Sequence, residues 1–210
     1  MSQADVTMGG HHAVAPTRSS PFAVPTKKLA MWLFIIADAA TFAACLLAYG
    51  FLRNGSLNWP TPFKFFPTIV NAMVMTFILI TSSLTMFFGV RDAKNGHPAA
   101  AFRWTIVTAI GGVIFALLHL REWFGLIGEG VTLFHNPWGN ALFGASFFTI
   151  TGLHLTHVTI GVFVLLFVGA RYKSGRFNAD DLEITGLYWH FVDLVWMFVV
   201  PLIYLLNVSK

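Results

Sequence analysis

Three pairs of ionisable side chains stand three residues apart inside otherwise apolar runs: His119 and Glu122, His154 and His157, His190 and Asp193. Another apolar run carries a single carboxylate, Asp38. A spacing of three puts both members of a pair on one helical face. Several chemistries need that arrangement. Imidazoles and carboxylates on facing helices can hold two metal ions, although the chain does not repeat the Glu-x-x-His pattern of such sites. Opposed histidines can ligate haem, but His154 and His157 share one run and do not suit a haem held between helices. Carboxylates and imidazoles in membrane helices also relay protons. The plainest reading is a buried hydrogen-bonded network that ties helices together, at about 0.6 kcal/mol per bond. Residue types and spacing leave these readings open. Arg171, at the end of the fourth long apolar run, reads as a topology anchor or as a phospholipid headgroup site, because a guanidinium binds phosphate through two parallel hydrogen bonds.

The elements that must position these groups follow from composition. Of 210 residues, 56% are hydrophobic and 10% charged, against about 25% charged in a soluble domain. Five runs are long enough to cross a bilayer, which takes roughly 20 apolar residues as a helix. A helix also satisfies its own backbone in hydrocarbon. The expected fold is therefore all-α: a polytopic bundle of five transmembrane helices near residues 29–52, 68–90, 102–124, 141–170 and 187–207, in one membrane domain spanning 29–210. Residues 1–28, polar and punctuated by Pro16, Pro21 and Pro25, read as a flexible cytoplasmic tail. His11 and His12 in that tail could bind a metal weakly, but read more simply as part of it. No short apolar segment with a small-residue cleavage site is evident, so a removable signal peptide is not expected.

Gly55, Pro60, Pro62 and Pro67 mark the first connection, and residues 171–186 read as a polar loop that contains Asp180, Asp181 and Glu183. Pro201 predicts a kink or local loosening in the last helix. Thr81, Ser82 and Ser83 can bond back to their own helix or across to a neighbour. The single cysteine, Cys45, excludes a disulfide framework and a zinc-type cysteine cluster. The basic residues are scattered over loops, which speaks against nucleic-acid binding. With the N-terminus cytoplasmic, Arg18, Lys27, Lys28, Arg91, Lys94, Arg103, Arg171, Lys173 and Arg176 fall inside, and Arg53, Lys64, Arg121 and Lys210 fall outside. The positive-inside rule favours that orientation.

Several segments, in order, resemble subunit III of the haem–copper respiratory oxidases. Residues 144–161, GASFFTITGLHLTHVTIG, are similar to the family's sixth helix. Residues 188–193, YWHFVD, with Trp196, resemble its seventh, and Glu183 falls where the family has a glutamate. Glu122-Trp123 resembles the pair closing the fifth helix, Thr81-Ser82-Ser83 the hydroxyl run of the fourth, and residues 31–38, MWLFIIAD, the start of the third. The family's first two helices have no counterpart, as in its five-helix members. Asp38 stands at the family's carbodiimide-reactive glutamate, and Met75 replaces a usual asparagine. The paired histidines that often end the fourth helix are absent.

The resemblance implies a role. Subunit III has no catalytic residues of its own and binds no metal; haem and copper reside in partner subunits. It packs on catalytic subunit I, in a complex that also holds subunit II and can join a larger respiratory supercomplex. It binds phospholipid and supports proton uptake and turnover stability. Carried over by position, Asp38 is the buried acid that supports proton uptake. Glu122, His154, His157, Glu183, His190 and Asp193 form the interhelical polar network, and Arg171 meets a lipid headgroup. The resemblance implies a cytochrome c oxidase of a bacterial plasma membrane. The same subunit of a quinol oxidase or of a nitric-oxide-reductase-associated relative is a second expectation, and a freestanding membrane di-metal protein is the alternative of another class.

Overall fold

The computed structural model describes residues 25–209. Residues 1–24, with most of the expected tail and both of its histidines, lie outside the described residues. Five helices follow in order: α1 (Thr26–Gly55), α2 (Val70–Lys94), α3 (Pro98–Gly128), α4 (Ala141–Lys173) and α5 (Ala179–Val199). A π-type turn, Phe65–Ile69, leads into α2. A second, Val200–Tyr204, and a 3₁₀ turn, Leu205–Asn207, continue α5. Together they make five spans long and apolar enough to cross a membrane. The described residues contain no β-strand, only an isolated bridge between Phe63 and Val208. The loosening expected at Pro201 takes the form of the π-type turn that contains it.

The helices run past the apolar spans because hydropathy marks the part that crosses lipid, whereas caps mark where a helix begins and ends. The largest difference is in α5, which starts at Ala179, where the sequence reading placed a loop. Asn178 accepts the backbone N–H of Asp181 at 3.0 Å, and Asp181 accepts that of Asn178 at 3.1 Å. This reciprocal capping box starts a helix, and the carboxylates of Asp180 and Asp181 favour its positive N-terminal end. Asp180, Asp181 and Glu183 thus belong to α5. Asn178→Ala is expected to lower stability by about 1 kcal/mol, read as a lower midpoint for thermal loss of the folded protein in detergent. At the end of α4, Gly175 has φ +72°, which lets Arg176 N–H return to the carbonyl of Arg171 at 3.0 Å.

Helices α2, α3, α4 and α5 form a ring in which each packs on the next, α5 closing on α2, and α1 lies outside against α4 and α5. The buried residues of α1, Ile35, Phe42 and Tyr49, repeat every seventh position. That is one narrow seam rather than a full apolar face. Inside the ring, Trp189 of α5 fits between glycines of α3 and α4. A Cβ at Gly112 would lie 2.5 Å from the indole, and one at Gly161 would lie 3.0 Å away. Gly112→Val is therefore expected to prevent the ring from closing and to remove folded protein from the membrane. Gly125→Ala in the same helix, with nothing within 4 Å, is expected to leave yield unchanged.

Candidate functional site

Asp38 of α1 and His157 of α4 meet across the outer seam, with Nε2 3.0 Å from Oδ2 and both side chains largely buried. The opposite nitrogen, His157 Nδ1, lies 2.7 Å from the carbonyl of Leu153. A carbonyl only accepts, so Nδ1 carries a hydrogen. Nε2 then faces Asp38 Oδ2, which accepts no hydrogen bond, so acid and base meet as a close contact rather than as a hydrogen-bonded pair. Phe42 closes one side of the imidazole at 5.3 Å between centroids, and Tyr188 donates to the carbonyl of His157 at 3.2 Å. The carboxylate that stands alone in the sequence has a partner 119 positions away.

The other residues are placed as follows. His154, fully buried, donates from Nε2 to the carbonyl of Val192 at 3.1 Å, which couples α4 to α5. It packs on Trp196 at 5.0 Å and Phe115 at 5.5 Å. His119 stacks on Phe115 at 5.7 Å, also within the ring. Its Nδ1 is 3.9 Å from Glu122 Oε2, and that oxygen accepts the hydroxyl of Tyr204 at 3.0 Å. His190 turns its Nδ1 to the hydroxyl of Ser83 on α2, at 3.1 Å. Asp193 is buried, and its Oδ1 accepts no hydrogen bond. Glu183 binds Lys28 of α1 at 2.8 Å and Lys94 of α2 at 2.9 Å. The guanidinium of Arg171 lies over Phe167 at 5.0 Å.

The residues expected to form one network therefore occupy several separate places. One pair adjacent in sequence diverges, His154 facing α5 while His157 faces α1. No three His, Cys, Asp or Glu side chains among the described residues converge as metal ligands, so the paired positions do not assemble the di-metal arrangement. The sequence reading missed Tyr204 and the indole contacts. Trp189 donates to Ser82 at 3.0 Å, Trp196 to Thr76 at 3.1 Å and Trp123 to Thr151 at 3.2 Å. The available signal was chemical: an indole N–H in hydrocarbon needs an acceptor, and hydroxyls in apolar runs can supply one.

Five apolar spans, a closed ring with one peripheral helix, and buried imidazoles and carboxylates joined to neighbouring helices define a multi-pass helical membrane protein. Comparison with known proteins makes the class specific. The model of the family described as Cytochrome c oxidase subunit III matches residues 4–208. The chain belongs to that family, the third subunit of haem–copper oxidases. It is similar to the quinol oxidase subunit 3 of Bacillus spizizenii, 30% identical over 184 residues, which cover 86% of this chain and 87% of that protein. It is also similar to the cytochrome c oxidase subunit 3 of Bacillus sp. strain PS3, 29% identical over 92% of each chain. With the subunit of that name from Synechocystis sp. it shares 33% identity over 83% of this chain and 73% of that protein. Subunits of this family act as accessory parts of an oxidase and associate with its other subunits.

Proposed function

We propose that this chain serves a cytochrome c oxidase of a bacterial plasma membrane, packed on catalytic subunit I with its N-terminus in the cytoplasm. The haem and copper then lie in partner subunits. Of the 13 basic residues, nine are on the side taken as inner, which supports this orientation. The observation that carries the functional reading is the contact of Asp38 with His157, an acid and a base held 3.0 Å apart within the apolar spans. Carboxylates and imidazoles in contact within membrane helices form proton relays. The proposed role is support of proton uptake and of stability during turnover. We place a phospholipid headgroup at Arg171, with its acyl chains along the outer helices. An apolar cleft of about 220 Å³ between α1 and α5, lined by Ala39, Phe42, Leu46, Phe191, Leu194 and Phe198 among others, supports lipid contact.

Matching relatives bear both cytochrome c oxidase and quinol oxidase names, so a quinol donor is the second reading. The deciding experiment is gentle-detergent purification of the complex through this chain, with an optical spectrum and oxidation assays. Haem bands with oxidation of reduced cytochrome c support the first reading, and oxidation of quinol alone supports the second. A chain recovered without haem-bearing partners overturns both.

A further inference from the structure

At the end of the bundle where α1 finishes and α2 begins, a cleft of about 240 Å³ opens between α2 and α3. Thr68 and Asn71 line it at the start of α2, and Arg121, Glu122, Gly125 and Glu129 at the end of α3. Arg121 and Glu129 are exposed, so water reaches its mouth. Glu122 stands six residues before Gly128, the last of α3, about 9 Å along the axis. Its side chain is only 8% exposed. Oε2 accepts the hydroxyl of Tyr204 at 3.0 Å, while Oε1 is closed to solvent and has no hydrogen-bond partner among the described residues. Behind the carboxyl lies His119, with Nδ1 3.9 Å from Oε2, too long for a hydrogen bond. Neither ring nitrogen of His119 has a partner, and Phe115, Trp123 and Trp196 wall the ring in.

These surroundings decide where a proton can reside. An imidazolium at His119 would hold two unpaired N–H groups inside aromatic walls, a buried charge with nothing to balance it. His119 is therefore the neutral base and offers Glu122 no countercharge. Arg121 is exposed and bonds neither carboxyl oxygen. Thr68 and Asn71 bring no charge from α2, and Glu129 is a second acid at the mouth. From α4, His154 packs on the same Phe115 and Trp196 rings as His119 and spends its Nε2 on Val192. One neutral hydroxyl, that of Tyr204, does not balance a carboxylate in such a place, and a buried acid left that way takes up a proton. We infer that Glu122 is a carboxylic acid that exchanges its proton with water through the α2–α3 cleft, a proton-holding site at the end of the bundle opposite the start of α1. Tyr204 holds Oε2, so the hydrogen is on Oε1. The site shares no residue with the contact of Asp38 and His157, which joins α1 to α4.

The test is infrared spectroscopy of the complex purified through this chain. Glu122→Gln is expected to remove one band of a protonated carboxyl from the native spectrum. Tyr204→Phe is expected to keep that band and move it to higher frequency, because the carbonyl oxygen loses its hydrogen bond. Transfer into heavy water replaces the acid hydrogen by deuterium and shifts the band, which gives the exchange rate. Gly125→Leu fills the cleft at a position with nothing within 4 Å of its Cβ. It is expected to slow that exchange about tenfold, a barrier higher by about 1.4 kcal/mol. A protonated-carboxyl region identical in Glu122→Gln and the native complex would overturn the inference, and so would one unmoved in Tyr204→Phe, which reads the same group if Glu122→Gln does not assemble. Exchange as fast in Gly125→Leu as in the native complex would overturn the route through the cleft.

Discussion

Asp38→Ala is expected to leave the amount of assembled oxidase unchanged and to make its activity decay about tenfold faster during turnover. A tenfold change corresponds to about 1.4 kcal/mol, within the range for removing one partner of a buried charged contact. The effect falls on turnover rather than assembly because α1 is held by its seam at Ile35, Phe42 and Tyr49 and by Lys28 on Glu183, none of which involves the carboxyl. Since Asp38 and His157 act through one contact, His157→Leu is expected to produce the same decay rate, and the double variant no more than either alone. Asp38→Glu, which restores the acid with one more methylene, is expected to recover most of the lifetime. The measurement is oxygen consumption followed to inactivation at saturating donor. Equal decay in Asp38→Ala and the native complex, or additive effects in the double variant, would show that the contact has no such role.

Asn207→Leu is expected to destabilise the protein by about 3 kcal/mol, counting the three bonds of 3.0 Å or shorter at near 1 kcal/mol each. Asn207 is fully buried. Its Nδ2 donates to Tyr49 at 2.6 Å and to the carbonyl of Ile203 at 2.7 Å, and its Oδ1 accepts Trp59 Nε1 at 3.0 Å and, more distantly, Arg53 Nε at 3.4 Å. The backbone also pairs there: Phe63 N–H donates to Asn207 O at 3.2 Å and Ser209 N–H to Phe63 O at 2.8 Å. One amide therefore joins the end of α1, the following loop and the end of α5. Arg53 adds a bond to the carbonyl of Leu206 at 2.8 Å. Tyr49→Phe removes only one of these contacts and is expected to lose about 1 kcal/mol. The ordering of the two variants by thermal midpoint of the purified complex is the check; an Asn207→Leu midpoint no lower than that of Tyr49→Phe would refute the account.

Composition and apolar run length were enough to read an all-α chain with five spans, because helices in hydrocarbon must satisfy their own backbone and span length follows from bilayer thickness. The segments around WHFVD and GASFF were enough to read the family, since those motifs recur in order. The start of α5 was also written in the sequence, in Asn178 and Asp181, but a reading by hydropathy passes over a polar cap. What the sequence could not decide was pairing. Helical periodicity states which residues share a face, so His154 and His157 read as one unit, and Asp38 as a carboxylate on its own. Only the packing of α1 outside the ring set Asp38 against His157 and left His154 to α5. The same is true of Glu183, which holds lysines from two other helices, and of Tyr204, which meets Glu122 from 82 positions away. Partners of that kind are set by which helices come together in three dimensions, and one-dimensional spacing carries no record of it.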